Sequence, residues 1–256
     1  MRLVQDAWFL GVRIARSYLR QPVWIVVALV QPVIWLTLYG QLFRRVVEIP
    51  GFGAATYIQF LTPGVAVMTA LFNSVWAGFD TLEDMERGIL DRFLATPVRR
   101  GALILASVGY ASSAVAVQVL LILALGSLLG AHLTGGVVGV LLSLAACVLL
   151  SATFAAFSNA AALWVRKREP LIAVVNFLSL PLTFLSAAIM PTTLMPSWML
   201  RAARFNPVNW AVEVVRAALA GHVSWGDAAD LARLAGLALA LFLAALISLE
   251  AFRRRV

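Results

Sequence analysis

Six long runs without a charged residue dominate this sequence and constrain its fold more than any other feature. They span residues 23–43, 58–79, 102–129, 137–165, 171–190 and 234–249. About 20 apolar residues in a helix cross the hydrocarbon core of a bilayer, so each run approaches or exceeds one membrane span. Charged residues make up only 12% of the chain, too few to cover a soluble globule of this apolar content. We therefore predict an all-α polytopic membrane protein with six transmembrane helices.

Basic residues are distributed unevenly between these runs. Of the 20 arginines and lysines, most lie near the two chain ends, in residues 80–101 and in residues 166–168. Cytoplasmic loops of membrane proteins carry an excess of these residues, so we expect both termini and residues 80–101 in the cytoplasm. Residues 191–230 then lie on the external side. Because they retain tryptophans and aliphatic side chains, we predict that they re-enter the membrane surface before the last span.

The rare polar residues exclude several kinds of chemistry. A Walker A phosphate loop ends in Gly-Lys-Ser/Thr, but the single lysine, Lys167, lies between two arginines, so the chain is not itself a P-loop ATPase. The single cysteine excludes an intrachain disulfide, and neither histidine lies in a ligand pattern, so we expect no metal site. The spans contain no nucleophile–base pair and no paired carboxylates, so we expect no catalytic residue. The arginines separate apolar runs instead of forming one polar patch, so we expect no nucleic-acid partner.

Residues 1–21 differ in pattern from the apolar runs. Among their arginines, apolar side chains recur at roughly helical spacing: Leu3, Ala7, Leu10, Ile14 and Tyr18. This pattern is typical of a helix in the lipid headgroup layer, where arginines reach toward anionic lipid. We therefore predict an N-terminal amphipathic interfacial helix over residues 1–21 that contacts membrane lipid, followed by a membrane domain over residues 22–256.

The connection between the second and third runs carries a dense group of charges. Leu82, Met85, Ile89 and Phe93 recur at steps of three and four residues, which predicts one helix over residues 81–96 with an apolar stripe. Pro97 ends this helix. The stripe could fit a groove on a soluble partner, or the helix could lie on the membrane surface with solvated charges. The periodicity does not decide between these two interpretations.

No Asp, Glu, Lys, Arg or His lies within the apolar runs, and this bears on the source of energy. Carriers driven by protons or sodium usually keep such residues at membrane depth, where they bind the coupling ion. The runs hold uncharged polar residues instead, among them Asn73, Gln118, Asn159 and Asn176. We therefore expect the driving energy to come from another protein. An ion-coupled secondary carrier or channel without an ATPase partner is the alternative.

Four parts of the sequence resemble, in order, those of one membrane-protein family. Residues 86–97, Glu-Arg-Gly-Ile-Leu-Asp-Arg-Phe-Leu-Ala-Thr-Pro, resemble the loop after the second span of type 2 ABC exporter membrane subunits. The likeness is strongest to the drug-export, daunorubicin-resistance-like branch. Residues 31–32 with 38–43 resemble the end of that family's first span, and residues 60–64 the start of its second. Pro191, residues 196–198, residues 205–207 and Arg216 resemble its external segment.

The resemblance implies a permease without ATPase activity that pairs with a separate ABC ATPase subunit. ATP and Mg²⁺ would bind that subunit, so we expect no cofactor on this chain. Residues 81–96 would form the coupling helix, with ATPase-coupling residues Glu83, Glu86, Arg87, Gly88, Asp91, Arg92 and Pro97. Residues 22–256 would form a type 2 ABC transmembrane domain. A second six-span permease, an identical copy or a paralogue, would complete the transporter in a bacterial cell membrane.

The resemblance also assigns residues to the transport path and to an external motif. The family's path is lined mainly by the second and fifth spans, which here nominates Phe72, Asn73, Trp76, Asn176, Phe177 and Phe184. The external motif comprises Asn206, Pro207 and Arg216. Membership of an exporter family implies outward transport, and an aromatic and amide lining suits a drug-like or amphipathic, lipid-like substrate. Ordinary helix packing is the alternative for each of the six path residues.

Overall fold

The computed structural model describes residues 2–19, 30–50, 52, 54–94 and 101–253, and within these ranges the chain is helical without any strand. The described helices are α1 (Arg2–Leu19), α2 (residues 30–34), α3 (Gly40–Leu42), α4 (Tyr57–Ser74), α5 (Ala77–Glu86), α6 (Ile89–Leu94), α7 (Gly101–Leu128), α8 (Gly136–Val165), α9 (Arg168–Phe184), α10 (Ser197–Ala203), α11 (Pro207–Ala220) and α12 (Trp225–Arg253). A π-helical turn, Trp35–Tyr39, joins α2 to α3. The prediction of an all-α protein is confirmed.

Within the described ranges, four helical stretches are long and apolar enough to cross a membrane: Tyr57–Glu86, Gly101–Leu128, Gly136–Val165 and Trp225–Arg253. They coincide with the second, third, fourth and sixth apolar runs of the sequence. Spans of 28 to 30 residues exceed the length that one bilayer requires. The chain is therefore a polytopic membrane protein, while its six-span topology and its orientation stay predictions.

The first and fifth runs do not form uniform helices. Residues 23–29 of the first run lie outside the described residues, and its remainder is divided by the π-helical turn. The fifth run was expected to be helical to residue 190, but α9 ends at Phe184 and residues 185–190 turn back toward α11. That expectation is wrong because distant side chains bind the backbone of this turn, as described below.

Helix α8 occupies the centre of the bundle. It packs against α4, α5, α7, α11 and α12, and several of these contacts depend on glycine. A Cβ atom on Gly135 or Gly139 would lie 1.8 or 2.3 Å from the carbonyl oxygen of Ala218 on α11. A Cβ on Gly78 of α5 would lie 2.2 Å from the carbonyl oxygen of Ser158 on α8. These helices approach one another as closely as their backbones allow.

The second run was expected to form one helix, but the structure divides it into α4 and α5 at Val75–Trp76. Ser158 of α8 bridges the break with its hydroxyl group. This hydroxyl donates a hydrogen bond to the carbonyl oxygen of Val75 and accepts one from the Gly78 N–H at 3.0 Å. A helix can be interrupted inside a membrane when neighbouring side chains satisfy the freed backbone groups in this way.

The charged connection is also two helices instead of the single helix expected over residues 81–96. Helix α5 ends at Glu86, the chain turns at Arg87 and Gly88, and α6 begins at Ile89. Gly88 has φ +65°, a left-handed conformation that glycine adopts readily and that commonly ends a helix. Apolar periodicity continues across this turn, so it concealed the break. Pro97, expected to end the helix, lies outside the described residues.

Candidate functional site

Helix α1 is attached to the charged end of α5 by an arginine. Arg13 donates a hydrogen bond to Asp84 at 2.9 Å, and its guanidinium lies 5.3 Å from the centre of the Phe93 ring of α6. The apolar side of α1 packs on the beginning of α7. Trp8 and Phe9 stay 70% and 73% exposed on the other side of α1, which is an arrangement that suits aromatic side chains at a membrane interface.

A second arginine joins α5 to the beginning of α9. The guanidinium of Arg168 donates to both carboxylate oxygens of Glu86, from Nε at 3.1 Å to each and from an Nη at 2.6 Å. The hydrogen bond to Glu86 raises the pKa of Arg168 above its usual value. Glu86 is the last residue of α5 and Arg168 is the first of α9, so this bidentate pair joins two helix ends.

The predicted ATPase-coupling residues therefore have unequal surroundings. Glu83 of α5 pairs with Arg87 in the turn that follows this helix, and Arg92 is exposed on α6. Gly88 forms the turn, and Asp91 lies in α6. Sequence reasoning counted Arg168 only as a topology signal and placed Arg13 among the arginines that reach toward lipid, so it missed the partners of both. The basic residues near Arg13 and Arg168 and the acidic residues of α5 indicate that these segments lie on the same side of the membrane. No sequence signal identifies which arginine pairs with which carboxylate.

Above this charged end, a buried polar cluster connects α5, α7 and α8. The hydroxyl of Thr81 donates to the side-chain oxygen of Asn159. The amide nitrogen of Asn159 lies 3.0 Å from the hydroxyl of Ser107 and 2.8 Å from the carbonyl oxygen of Ala155. Asn159 is fully buried, so these partners satisfy an amide that would otherwise be costly at this depth.

Three of the predicted path residues meet at one cleft. Phe72, Asn73 and Trp76 lie at the end of α4 and at the break below it, where residues of the first run, including Gln31 and Trp35, form the opposite wall. The amide of Asn73 donates to Gln118 of α7 at 2.6 Å and to the carbonyl oxygen of Thr69 at 3.0 Å. Trp76 is 43% exposed. The cleft therefore presents aromatic surface beside an amide group.

The other three path residues lie on an exposed side of α9. Phe177 and Phe184 are 82% and 65% exposed, and Asn176 is also exposed. Helix α9 makes few contacts with α4, α5, α8 and α11. The structure thus gathers Phe72, Asn73 and Trp76 in one cleft and leaves the α9 residues uncovered in the single chain.

The predicted external motif fixes the turn between α9 and α11. Asn206 caps α11 by accepting a hydrogen bond from the Val208 N–H at 2.9 Å, and Pro207 follows at the first helical position, where its missing N–H costs nothing. The Asn206 amide also donates to the carbonyl oxygens of Leu182 and Leu185 at 2.7 and 3.0 Å. One asparagine therefore ends α9 and begins α11.

Two further residues of α11 attach the same turn. Asn209 accepts a hydrogen bond from the Ala187 N–H at 2.9 Å. Arg216 donates to the Ala187 carbonyl oxygen at 2.8 Å, with its guanidinium carbon 4.1 Å from the centre of the Phe60 ring of α4. Because side chains at the start of α11 and within it satisfy backbone groups of Leu185 and Ala187, α9 stops before the end of its apolar run. Asn209 was not among the predicted motif residues.

The comparisons with known proteins identify the family. A sequence model described as ABC-2 type transporter matches residues 5–220. The chain belongs to this family. The matched region of this ABC-2 chain begins in α1 and ends with α11, so it includes both ends of α5, the cleft beside Asn73 and the external motif. Among the described residues, no group of three or more His, Cys, Asp or Glu side chains is placed to hold a metal ion.

Individual relatives agree with the ABC-2 assignment. A protein of Cyanophora paradoxa named as the transport permease ycf38 is 31% identical over 223 residues, 87% of this chain and 76% of the relative. The daunorubicin resistance ABC transporter permease protein DrrB1 of Streptomyces coeruleorubidus is 30% identical over 211 residues, 80% of this chain and 72% of the relative. Nodulation protein J of Rhizobium leguminosarum bv. trifolii is 24% identical over 66% of this chain and 64% of its own length.

Proposed function

We propose that the chain is the membrane-spanning permease subunit of an ABC exporter and that a separate ATPase subunit drives it. The observation that carries this proposal is the ABC-2 family match over residues 5–220. The charged segment formed by the end of α5 and by α6 supports it, because mixed charges on a short helical segment suit docking to a soluble partner. ATP and Mg²⁺ would bind the partner, and this chain would carry no catalytic residue or cofactor of its own.

The exposed arginines of the α5–α6 turn are the best candidates for contacting the ATPase. Arg87 has 65% of its side chain exposed even though it pairs with Glu83, and Arg92 is exposed on α6. Both arginines can bind carboxylates of a partner in place of water, and this exchange would change the free energy of unfolding of the chain little. Helix α1, attached to α5 through Arg13, would lie at the membrane interface on the cytoplasmic side.

The transport path would form between two six-span units, an identical pair or two paralogues. Its lining would comprise the cleft at Phe72, Asn73 and Trp76 and the exposed side of α9 at Asn176, Phe177 and Phe184. Aromatic and amide groups suit an amphipathic, drug-like or lipid-like substrate. A relative is named for daunorubicin resistance, which supports the drug-like class. The location would be a bacterial cell membrane.

The docking assignment is tested with Arg87→Ala combined with Arg92→Ala. The tagged chain is purified from membranes of its own host in mild detergent, and Mg²⁺-dependent ATPase activity per mole of chain is measured in the eluate. We expect the wild type to retain an ATPase. We expect the double variant to insert normally but to lose about tenfold of the co-purified activity, equivalent to about 1.4 kcal/mol of binding.

Arg44→Ala with Arg45→Ala is the matched control, because these two arginines are also exposed but lie beyond α3. The control should retain the wild-type amount of ATPase. The alternative, an ion-coupled carrier, would be established by two results together. The wild-type chain would purify without any ATPase, and a proton gradient alone would drive substrate uptake into liposomes that contain it.

A further inference from the structure

We propose that the ion pair of Glu86 and Arg168 transmits movement within the chain. When the ATPase displaces the α5–α6 segment, this ion pair would move the beginning of α9. Glu86 would then act within the chain instead of binding the ATPase directly. This role rests on the proposed function, since it describes how movement of the ATPase reaches the path-lining helix. Glu86 was expected to contact the ATPase, and it would instead bind Arg168 of the same chain. Arg168, which sequence analysis used only to predict membrane orientation, would act as a positioning residue.

The geometry of the pair favours transmission of movement. Three guanidinium-to-carboxylate contacts of 2.6 to 3.1 Å join the last residue of α5 to the first residue of α9. A bidentate arginine–carboxylate contact fixes both the separation and the relative orientation of its groups. The guanidinium of Arg168 also lies beside the C-terminus of α5, where the helix dipole favours a positive charge. The negative charge of Glu86 would be unfavourable at this helix end without Arg168.

The beginning of α9 is free to follow such a contact. Helix α8 ends at Val165, Arg166 adopts a left-handed conformation with φ 57°, and Lys167 is extended. Helix α9 is therefore not a continuation of α8, and these two residues can act as a hinge. Arg166 is fixed separately, with its guanidinium 4.7 Å from the centre of the Phe252 ring. The chain thus changes direction immediately before the residue that binds Glu86.

Movement of the first turn of α9 would reach the path. The helix is continuous over 17 residues and carries Asn176 and Phe177 on its exposed side. Its contacts with α4, α5, α8 and α11 are few, so packing opposes the displacement of α9 less than it would that of the central α8. A rigid helix attached at Arg168 would therefore carry displacement from the charged end to the candidate path.

The ion pair is well suited to a role other than stability. Glu86 and Arg168 have 43% and 52% of their side chains exposed, and exposed ion pairs contribute little to folding free energy. Removing either charge should leave the fold and the ATPase-binding arginines of the α5–α6 turn in place. A variant that loses the nucleotide response of α9 but keeps the bound ATPase would therefore show that the ion pair transmits movement and does not bind the partner.

The experiment places a reporter on α9 and removes each charge in turn. In a Cys147→Ala background, Leu180→Cys supplies a single thiol at an exposed position of α9 outside the candidate path residues, and its labelling by N-ethylmaleimide is compared without nucleotide and with ATP and vanadate. The complex is purified with the ATPase that the host supplies. Glu86→Gln, Arg168→Gln, the double variant and Arg168→Lys are compared with the parent for labelling, co-purified ATPase and ATPase activity.

We expect the labelling rate of the parent to change with nucleotide by about fivefold, the lower range of allosteric coupling. Glu86→Gln and Arg168→Gln should each abolish this change while retaining the parent's amount of ATPase. The double variant should lose no more than either single one, because the two groups act as one contact. Arg168→Lys should restore part of the response, because it keeps the charge without the bidentate geometry.

Glu250→Gln with Arg253→Gln is the matched control, since this pair is similarly exposed but lies within α12. It should respond as the parent does. Loss of ATPase from Glu86→Gln alone would show that Glu86 docks the partner and would overturn the proposal. A normal response in Arg168→Gln, or no response in the parent, would also overturn it. Absence of any ATPase from the parent complex would instead contradict the proposed function.

Discussion

Glycines set the closest approach of two helices in this protein. Gly135 and Gly139, spaced as G-x-x-x-G, face the carbonyl oxygen of Ala218 on α11. The Gly135 N–H also donates to the carbonyl oxygen of Leu219 at 2.9 Å. A G-x-x-x-G spacing alone is compatible with packing inside a chain or between chains. The structure assigns this one to packing between α8 and α11 of the same chain.

Replacing Gly139 with alanine should therefore destabilise the fold. The added Cβ would lie 2.3 Å from the Ala218 oxygen, and overpacking of this kind costs about 1–3 kcal/mol, or several degrees in melting temperature. Cys147 is the only cysteine and is fully buried. A thiol-reactive dye therefore reports unfolding during heating of the protein in detergent.

Gly236→Ala is the matched control, because Gly236 lies within α12 and a Cβ there meets no atom of the described part of the chain within 4 Å. It should leave the melting temperature unchanged or raise it slightly, since alanine is the better helix former. Equal melting temperatures for Gly139→Ala and Gly236→Ala would contradict the close packing of α8 on α11.

At the scale of elements, the important feature is the break between α4 and α5. The Ser158 hydroxyl satisfies one backbone acceptor and one backbone donor there, those of Val75 and Gly78. Helix α4 carries the cleft residues and α5 carries the charged end. The break thus separates the segment proposed to bind substrate from the segment proposed to follow the ATPase.

Ser158→Ala should weaken this junction. Two buried backbone groups would lose their partner, which costs about 1–2 kcal/mol in a membrane, and the Cys147 dye assay should show a lower melting temperature. Ser151→Ala is the control, because Ser151 is buried on the same helix and its hydroxyl has no hydrogen-bond partner among the residues that the structure describes. A change of the same size in both variants would exclude a specific role for Ser158.

Sequence periodicity located the described helices well but not their ends. Apolar runs predicted α7 and α8 closely, because their length and composition are local properties. The breaks at Val75 and Phe184 were not predictable, because the groups that satisfy them lie far along the chain: Ser158 is 83 residues from Val75, and Asn206 is 24 residues from Leu182. The pair of Glu86 and Arg168, 82 residues apart, escaped prediction for the same reason.

Among the described helices of the whole molecule, α9 is one that its own chain covers poorly. Phe177 and Phe184 of α9 are largely exposed, while α8 packs against six described helices. Lipid contact alone would explain exposed phenylalanines, but Asn176 beside them is polar and exposed, which is unfavourable against lipid. This combination favours a second permease unit facing α9, with the substrate path between the two.

A cross-linking experiment tests this arrangement in membranes. In the Cys147→Ala background, Phe184→Cys should give a covalent dimer with a short bismaleimide, detected as doubled mass on denaturing gels. Leu239→Cys is the control, because Leu239 is similarly exposed, at 61% against 65% for Phe184, but lies on α12. It should remain monomeric at the same thiol occupancy. Because a bifunctional reagent joins only thiols held close together, dimers from both positions would indicate random collision. A dimer from Leu239→Cys alone would place the second unit against α12 and would remove α9 from the path.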